Sequence, residues 1–239
     1  MANLKLISII KLEGIIKLKS GMHIGSGDTE MHIGGSDNPV IKHPHTFEPY
    51  IPGSSIKGKV RSLLEYKSGL VMDAKESGGL ITYKLYKKLE NNKKNLAEAI
   101  LKIFGCGASD IDEEVNFGPT RASFGDCYLN KEWKEDAIKN KWVLTEVKSE
   151  NRIDRIKGTA EHPRFIERVP EGAEFNFNIS FKEFEGDNNT LFNQLLEGLR
   201  LLEMDAIGGS TSRGYGRIIF TKLLKDNKDY LAEFRKSNI

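Results

Sequence analysis

The chain has 239 residues, 29% of them charged, with a formal net charge of only +2. That length supports a core without covalent staples, and two cysteines, Cys106 and Cys127, make neither a disulfide framework nor a spaced zinc site, which reads as a reducing cytosol. Near-neutral charge excludes capture of an anion by the overall field, so a nucleic acid would be held by local clusters, and no apolar run has the length of a membrane span or the block form of a signal peptide.

Leu4 to Lys19 alternates and is β-branched, which predicts a strand with a bulge at Gly14. A glycine-rich loop runs from Gly21 to Gly53, and within it MHIGSGD at Met22 to Asp28 is nearly repeated as MHIGGSD at Met31 to Asp37. PGSSIKGKVRSLLEY opens a helix capped by Ser54 or Ser55, with Ile56, Val60, Leu63 and Leu64 on one face and Lys57, Lys59 and Arg61 largely off it. Residues 70–104 read as amphipathic helix poorly tied to the rest, with KKLENNKKN as a solvated insertion tip. Strands are expected near Thr120 to Leu129 and Trp142 to Lys148, and the arginine-rich ENRIDRIKGTAEHPRFIERV, residues 150–169, as a projecting hairpin.

EFNFNISFKEF from Glu174 alternates strictly, with Phe175, Phe177, Ile179 and Phe181 on one face of a strand. LFNQLLEGLRLLEMDAIGG is a helix with Leu191, Leu195, Leu199 and Leu202 at helical spacing and glycines to end it, and GRIIFTKLL from Gly216 is the last strand. The order is that of an α+β, ferredoxin-like (RRM-like) βαββαβ fold, with insertions after the first strand and between the middle ones.

Two loops have the composition of phosphate sites. AIGGSTSRGYGRIIF sets Gly208, Gly209, Gly214 and Gly216 around Ser210, Ser212 and Arg213, so backbone N–H groups can converge on one concavity while Arg213 adds a fork of donors. It is not a nucleotide P-loop, because Tyr215 stands at the lysine position and the loop runs from helix to strand. A helix C-cap with a tight turn accounts for Gly208 and Gly209 alone. PGSSIKGK offers a helix N-terminus with two hydroxyls and two lysines, although by itself it reads as an ordinary capped helix with a basic, solvated face. In this fold both loops can border one face of the sheet and form a sugar-phosphate track with little sequence preference. The aromatic signature for stacking bases on the sheet itself is missing.

Taken in order, GMHIGSGD, SDNPVIKHP, IPGSSIKGKVRSLL, ENRIDRIKGTAEHPRFIERV and GGSTSRGYGRI resemble the repeated backbone subunits of the type III-A CRISPR effector, the Csm complex, which are RAMP (repeat-associated) proteins. The resemblance runs to about Phe220. It implies a single RAMP domain over 1–239: a palm over about 1–20, 50–68, 118–149 and 172–224, insertions over about 21–49 and 69–117 with an inserted helical lid, and a thumb-like β-hairpin over 150–171. It also implies copies stacked head to tail along a CRISPR RNA in a cytoplasmic complex. Its partners would be target single-stranded RNA, the guide 5′-end-binding RAMP subunit, the small subunit and the large polymerase-like subunit, without a membrane. Target RNA would be cut at regular intervals, where each thumb displaces a nucleotide, with Mg²⁺ or another divalent cation as cofactor. The family's catalytic aspartate precedes a Ser-Pro-Val-Ile-Lys run. The matching residue is Asp37, followed by NPVIK with Asn38 in place of the serine. His23 matches a guide-contact position, and Arg152 and Arg155 fall on the implied thumb.

RNA carries its own nucleophile, the 2′-hydroxyl, and Asp37 can serve as its base or hold a Mg²⁺ ion that keeps several waters and borrows substrate phosphates. Without the resemblance, Asp37 reads first as an Asx-turn residue. Two alternatives are a purely structural RNA-binding subunit and a CRISPR RNA processing endonuclease that uses His23. His43 and His45 flank Pro44 with no nearby cysteine or acid pair, which argues against zinc. The expected RNA-binding set is His23, Ser54, Ser55, Lys57, Lys59, Arg61, Arg152, Arg155, Gly208, Gly209, Ser210, Arg213 and Gly214.

Overall fold

The computed structural model describes residues 4–27, 38–107 and 117–236. Its centre is a five-stranded antiparallel sheet in the order β2-β5-β1-β6-β7, formed by β1 (Leu6–Leu18), β2 (Ala122–Phe124), β5 (Glu174–Phe184), β6 (Ile218–Lys225) and β7 (Lys228–Asp229). Alternation decides which face is covered. Ile10, Leu12, Ile16 and Leu18 of β1 are buried, as are Phe175, Phe177, Ile179 and Phe181 of β5, while Lys11, Glu13, Asn176 and Asn178 face the other way and are exposed. Each fully buried phenylalanine contributes about 1.5–3 kcal/mol.

Two helices cover the apolar face. α1 (Gly53–Ser68) buries Ile56, Val60 and Leu64, and α5 (Asn189–Met204) buries Leu191, Leu195, Leu199 and Leu202. They meet at Gly198, where a Cβ would come within 2.6 Å of Val60 Cγ1, so the absence of a side chain sets how closely the helices approach. The expected bulge falls one residue from Gly14 and on the partner strand. Ile15 pairs with Lys222 and Ile16 with Phe220, which leaves Thr221 as the extra residue. Gly14 serves the close approach of β6 instead, since the Lys222 carbonyl oxygen would lie 2.0 Å from a Cβ there.

Three expectations need correction. The 70–104 region is tied in firmly: α2 (Tyr83–Lys88) is followed by α3 (Asn91–Phe104), which buries Ala97, Ile100, Leu101, Ile103 and Phe104. Even the KKLENNKKN stretch buries Leu89. In the Thr120–Leu129 stretch only β2 is a strand, while Cys127 and Leu129 make single bridges to Ile51 and Phe175. The strand expected at Trp142–Lys148 is absent from the main sheet. β3 (Glu146–Ile153) and β4 (Ala160–Arg168) form a separate two-stranded sheet, so the hairpin begins at Glu146 and not at residue 150.

α4 (Lys131–Lys139) precedes that hairpin, started by Asn130, whose side chain accepts from the Trp133 N–H at 3.1 Å. α6 (Leu231–Lys236) seats Phe234 against Phe220 with ring centroids 5.5 Å apart. A bidentate pair, Arg121 to Asp187 at 2.9 and 3.0 Å, joins the start of β2 to the turn before α5. Burial pushes the Asp187 carboxyl up, but the Arg121 hydrogen bond and its companions hold its pKa below the usual value.

Candidate nucleic-acid interface

An extended segment needs partners for its backbone, and residues 38–42, which follow Asp37 directly, find them on two sides. On one side Ser26 N–H donates to the Pro39 carbonyl at 3.3 Å and Ile41 N–H to the Ile24 carbonyl at 2.8 Å. On the other, Glu167 N–H of β4 donates to the Asn38 carbonyl at 3.1 Å. The Glu167 side chain completes the seam: its carboxylate accepts from Val40 N–H at 2.9 Å and from Lys42 Nζ at 2.6 Å. Burial pushes the Glu167 pKa up, and the hydrogen bonds from Lys42, Thr145 and Val40 more than offset it, so the group stays ionised below the ordinary range.

His23 sits on the same seam. Its Nδ1 lies 2.7 Å from the Glu167 carbonyl, which can only accept, so Nδ1 is the donor. The His23 carbonyl accepts from Gly209 N–H at 2.8 Å, which brings the glycine-rich loop onto the seam. Gly208 at φ +86° leaves no room for a Cβ, because the His23 oxygen would be 2.3 Å away.

The loop's tyrosine is its anchor. Tyr215 is 1% exposed, donates from Oη to Glu150 Oε1 at 2.8 Å, and carries Lys148 and Arg168 over its ring at 5.0 and 5.1 Å. Arg213 also donates to Glu150. Burial raises the Glu150 pKa, and the hydrogen bonds from Tyr215 and Arg213 bring it below the usual carboxylate value. Glu150 and Glu167, together with Tyr215, are the organising groups that sequence reasoning missed. The available signal was a tyrosine where a glycine loop otherwise has small residues.

The predicted residues fare differently. Asp28 and Asp37 lie outside the described residues. His23, Gly208, Gly209, Ser210, Arg213 and Gly214 are brought together, but the loop is not an open nest. The N–H groups of Arg213, Gly214 and Gly216 are taken by the carbonyls of Ser210, Thr211 and Gly21, which leaves those of Ser210, Thr211 and Ser212 without a partner among the described residues. At α1 the cap is Pro52, with Ser54 and Ser55 inside the first turn. Gly53 N–H there donates to Asp126 Oδ1 at 2.8 Å, so a carboxylate already occupies the anion position.

Lys59 pairs with Asp205 at 2.6 Å. Arg61 faces inward, with its guanidinium bonded to Glu65, to the Gly105 carbonyl at 3.0 Å and to the Ile81 carbonyl at 2.8 Å, so it clamps α1 to the start of α2 and the end of α3. Lys57 has no ion-pair partner among the described residues, and its pKa is lowered by burial and then by Arg61. Arg152 and Arg155 are exposed on the hairpin without partners among the described residues, and so is Arg164, which sequence reasoning had not singled out. No three His, Cys, Asp or Glu side chains cluster as a metal cage among the described residues. No described helix is long and apolar enough to cross a membrane.

The chain is similar to known proteins. A model of the RAMP superfamily matches residues 15–219. The chain is 40% identical over 227 residues to the "CRISPR system Cms endoribonuclease Csm3" of Methanothermobacter thermautotrophicus, covering 89% of this chain and 83% of that one. To the protein of the same name from Methanocaldococcus jannaschii it is 40% identical over 240 residues, covering 96% and 86%. Among solved structures, the Csm3-Csm4 subcomplex of the type III-A CRISPR-Cas interference complex superposes with a TM-score of 0.52 at 30% identity, covering 92% of this chain and 78% of the other. The Methanopyrus kandleri Csm3 crystal structure gives a TM-score of 0.55 at 26% identity, covering 91% and 77%. With the seam, the glycine loop and the hairpin in this order along the chain, and relatives this similar over nearly its whole length, the protein belongs to the RAMP superfamily and, within it, to the Csm3 subunits of type III-A CRISPR complexes.

Proposed function

We propose that this chain is an RNA-binding subunit of a type III-A interference complex in the cytoplasm that cuts target single-stranded RNA, with Asp37 in the catalytic position. The observation that carries this reading is the seam: the chain leaves Asp37 and is immediately fixed between residues 24–26 and β4, on the same ridge as His23, the glycine loop and a hairpin with unpaired arginines. A base must be positioned to within a fraction of an ångström, and an anchored neighbour supports that.

In this reading the strand order β2-β5-β1-β6 with α1 and α5 on one face is a ferredoxin-like palm, α2 and α3 belong to the lid, and β3–β4 is the thumb. Copies stack head to tail along a CRISPR RNA beside the guide-end, small and large subunits, and each copy cuts at the nucleotide its thumb displaces. The 2′-hydroxyl attacks the adjacent phosphorus, its proton passes to Asp37, and the 5′-oxygen leaves with a proton from water, which gives a 2′,3′-cyclic phosphate and a 5′-hydroxyl. The divalent cation on which cutting would depend would be held by Asp37, waters and substrate phosphates and would neutralise charge at the scissile phosphate.

Asp37→Asn in the reconstituted complex should lower target cutting at least about 100-fold, the usual worth of general-base catalysis, with RNA binding and assembly nearly unchanged. Asp28→Asn should retain most activity, and EDTA should stop cutting by the unaltered complex. Undiminished cutting by Asp37→Asn overturns the assignment. A second reading is favoured by the Nε2 of His23, which has no partner among the described residues: EDTA-resistant cutting that is lost in His23→Ala would make the histidine the base.

A further inference from the structure

The turn between residues 38–42 and α1 has a feature the fold does not use. His43 N–H donates to the Glu48 carbonyl at 2.8 Å and Phe47 N–H to the His43 carbonyl at 2.9 Å, while His43 Nδ1 accepts from His45 and Thr46 N–H at 3.3 and 3.4 Å. This closed turn holds Phe47 at φ +56°, a left-handed conformation that bulky L-residues rarely adopt. Phe47 is also 73% exposed, so no packing compensates the strain. A residue that is both strained and unburied gives the fold nothing that glycine would not, which points to use by a ligand.

Behind the turn lies a row of rings. His45 contacts His43 at 5.5 Å between centroids, His43 contacts Tyr128 at 5.8 Å, and Tyr128 contacts Tyr50 at 5.7 Å. Tyr128 is held on a fixed backbone, with its carbonyl accepting from Asn176 N–H at 2.8 Å and its neighbour Cys127 paired to Ile51, yet it is 48% exposed. The row ends at Tyr50, just ahead of α1, whose first turns carry Ser54 and Lys57, which has no ion-pair partner among the described residues. Two carboxylates beside the row are already engaged: Glu48 with Lys134 at 3.0 Å and Asp126 with Gly53.

We propose that Phe47 and this ring row form a stacking platform for unpaired bases of single-stranded RNA. Every base has a π-face, so such a platform tolerates any sequence and complements contacts to the sugar-phosphate backbone. A protein partner is the weaker fit, because the turn HPHTFE surrounds Phe47 with polar and charged residues and no aliphatic patch for a dry interface core. The platform lies off the sheet and rests on the RNA-binding reading above.

The full chain is titrated with a fluorescein-labelled single-stranded RNA, with the same RNA carrying abasic sites, and with duplex RNA. Phe47→Ala should weaken binding of the intact strand about tenfold, the loss expected for one stacked base, and Tyr128→Ala should act in the same direction. Abasic RNA should bind weakly to every variant alike. Phe47→Gly should lose affinity as Phe47→Ala does while raising the melting temperature, because glycine relieves the strained φ. The platform is overturned if both Phe47 variants stay within twofold of the unaltered chain, or if Phe47→Gly melts lower. It is also overturned if Phe47→Ala changes the composition of the assembled complex and leaves RNA affinity intact. Failure of the unaltered chain to bind any RNA, within the complex as well as alone, instead removes the RNA-binding reading itself.

Discussion

The hairpin β3–β4 behaves differently at its two ends. At the base the carboxylates have partners: Glu146 with Arg168 at 2.7 Å, Glu150 with Arg213 and Tyr215, Glu167 with Lys42. At the tip Asp154 organises the turn by accepting from Ile156 and Lys157 N–H at 2.8 and 3.1 Å, and Lys157 lies between Asp154 and Glu161, but Arg152 and Arg155, and Arg164 at the bulge just below them, have no partner among the described residues. A bulge separates the two halves. Glu150 pairs with Arg164 but Arg152 with Glu161, and His162 at φ +52° takes up the difference next to Pro163. Paired charge fixes the base to the palm, and unpaired charge leaves the tip able to bind an anion.

The largest effect that would break this contrast comes from the tip. Replacing Arg152, Arg155 and Arg164 together with alanine should weaken single-stranded RNA binding on the order of 100-fold at low salt and flatten the plot of log affinity against log salt by about 2, near 0.7 for each phosphate no longer neutralised. Thermal stability should stay unchanged. An unaltered slope would show that the tip meets something other than phosphate.

At the base, Glu167→Ala removes the acceptor for Val40 and Lys42 and should cost about 2 kcal/mol in urea unfolding, discounted because Lys42 is partly solvated. Cutting should fall as well, since the segment after Asp37 loses its hold. Acid reaches the same groups without a mutation. Glu150 and Glu167 have pKa values held below the ordinary 4.5, so the unfolded chain takes up protons first as the pH falls. Their stabilisation is fully present above about pH 4.5 and is lost as the pH drops through the folded-state values. Hydrogen exchange should then show protection at the hairpin base disappearing, while the exposed tip changes little.

A smaller test is Tyr215→Phe, which keeps the ring between Lys148 and Arg168 but removes the bond to Glu150 and should cost about 1 kcal/mol. The smallest expected response is at Cys127, buried and with its thiol pushed up to about 12, which should resist iodoacetamide in the folded protein while the partly exposed Cys106 reacts.

Period and composition made some of this legible. Phe175, Phe177, Ile179 and Phe181 announce β5 because a two-residue period admits one buried face, and Leu191, Leu195, Leu199 and Leu202 announce α5 in the same way. The hairpin was visible as an arginine-rich alternation about Gly158, but its start was not, because β3 pairs only with β4 and has no apolar face to mark its first residue. The glycine loop is ambiguous for a different reason. Glycines that open N–H groups to a ligand and glycines that let carbonyls approach have one spelling, and only the position of the His23 oxygen against Gly208 tells them apart. Arg61 looked solvent-facing because nothing local shows that Ile81 and Gly105 return to it. The hold of Glu167 on Lys42 joins residues far apart in the chain and leaves no periodic trace.

The central position of β1 has a consequence for synthesis. Its two sheet neighbours are β5 and β6, so the first strand made has no hydrogen-bonding partner until Glu174–Phe184 has emerged from the ribosome. At about 5–20 residues per second that interval is roughly 10–30 s. Throughout it an unpaired segment bearing Leu6, Ile7, Ile9 and Ile10 stays open to nascent-chain chaperones and to β1 strands from neighbouring ribosomes on the same message. The yield of folded subunit should therefore depend on translation rate and chaperone supply more than its equilibrium stability would suggest.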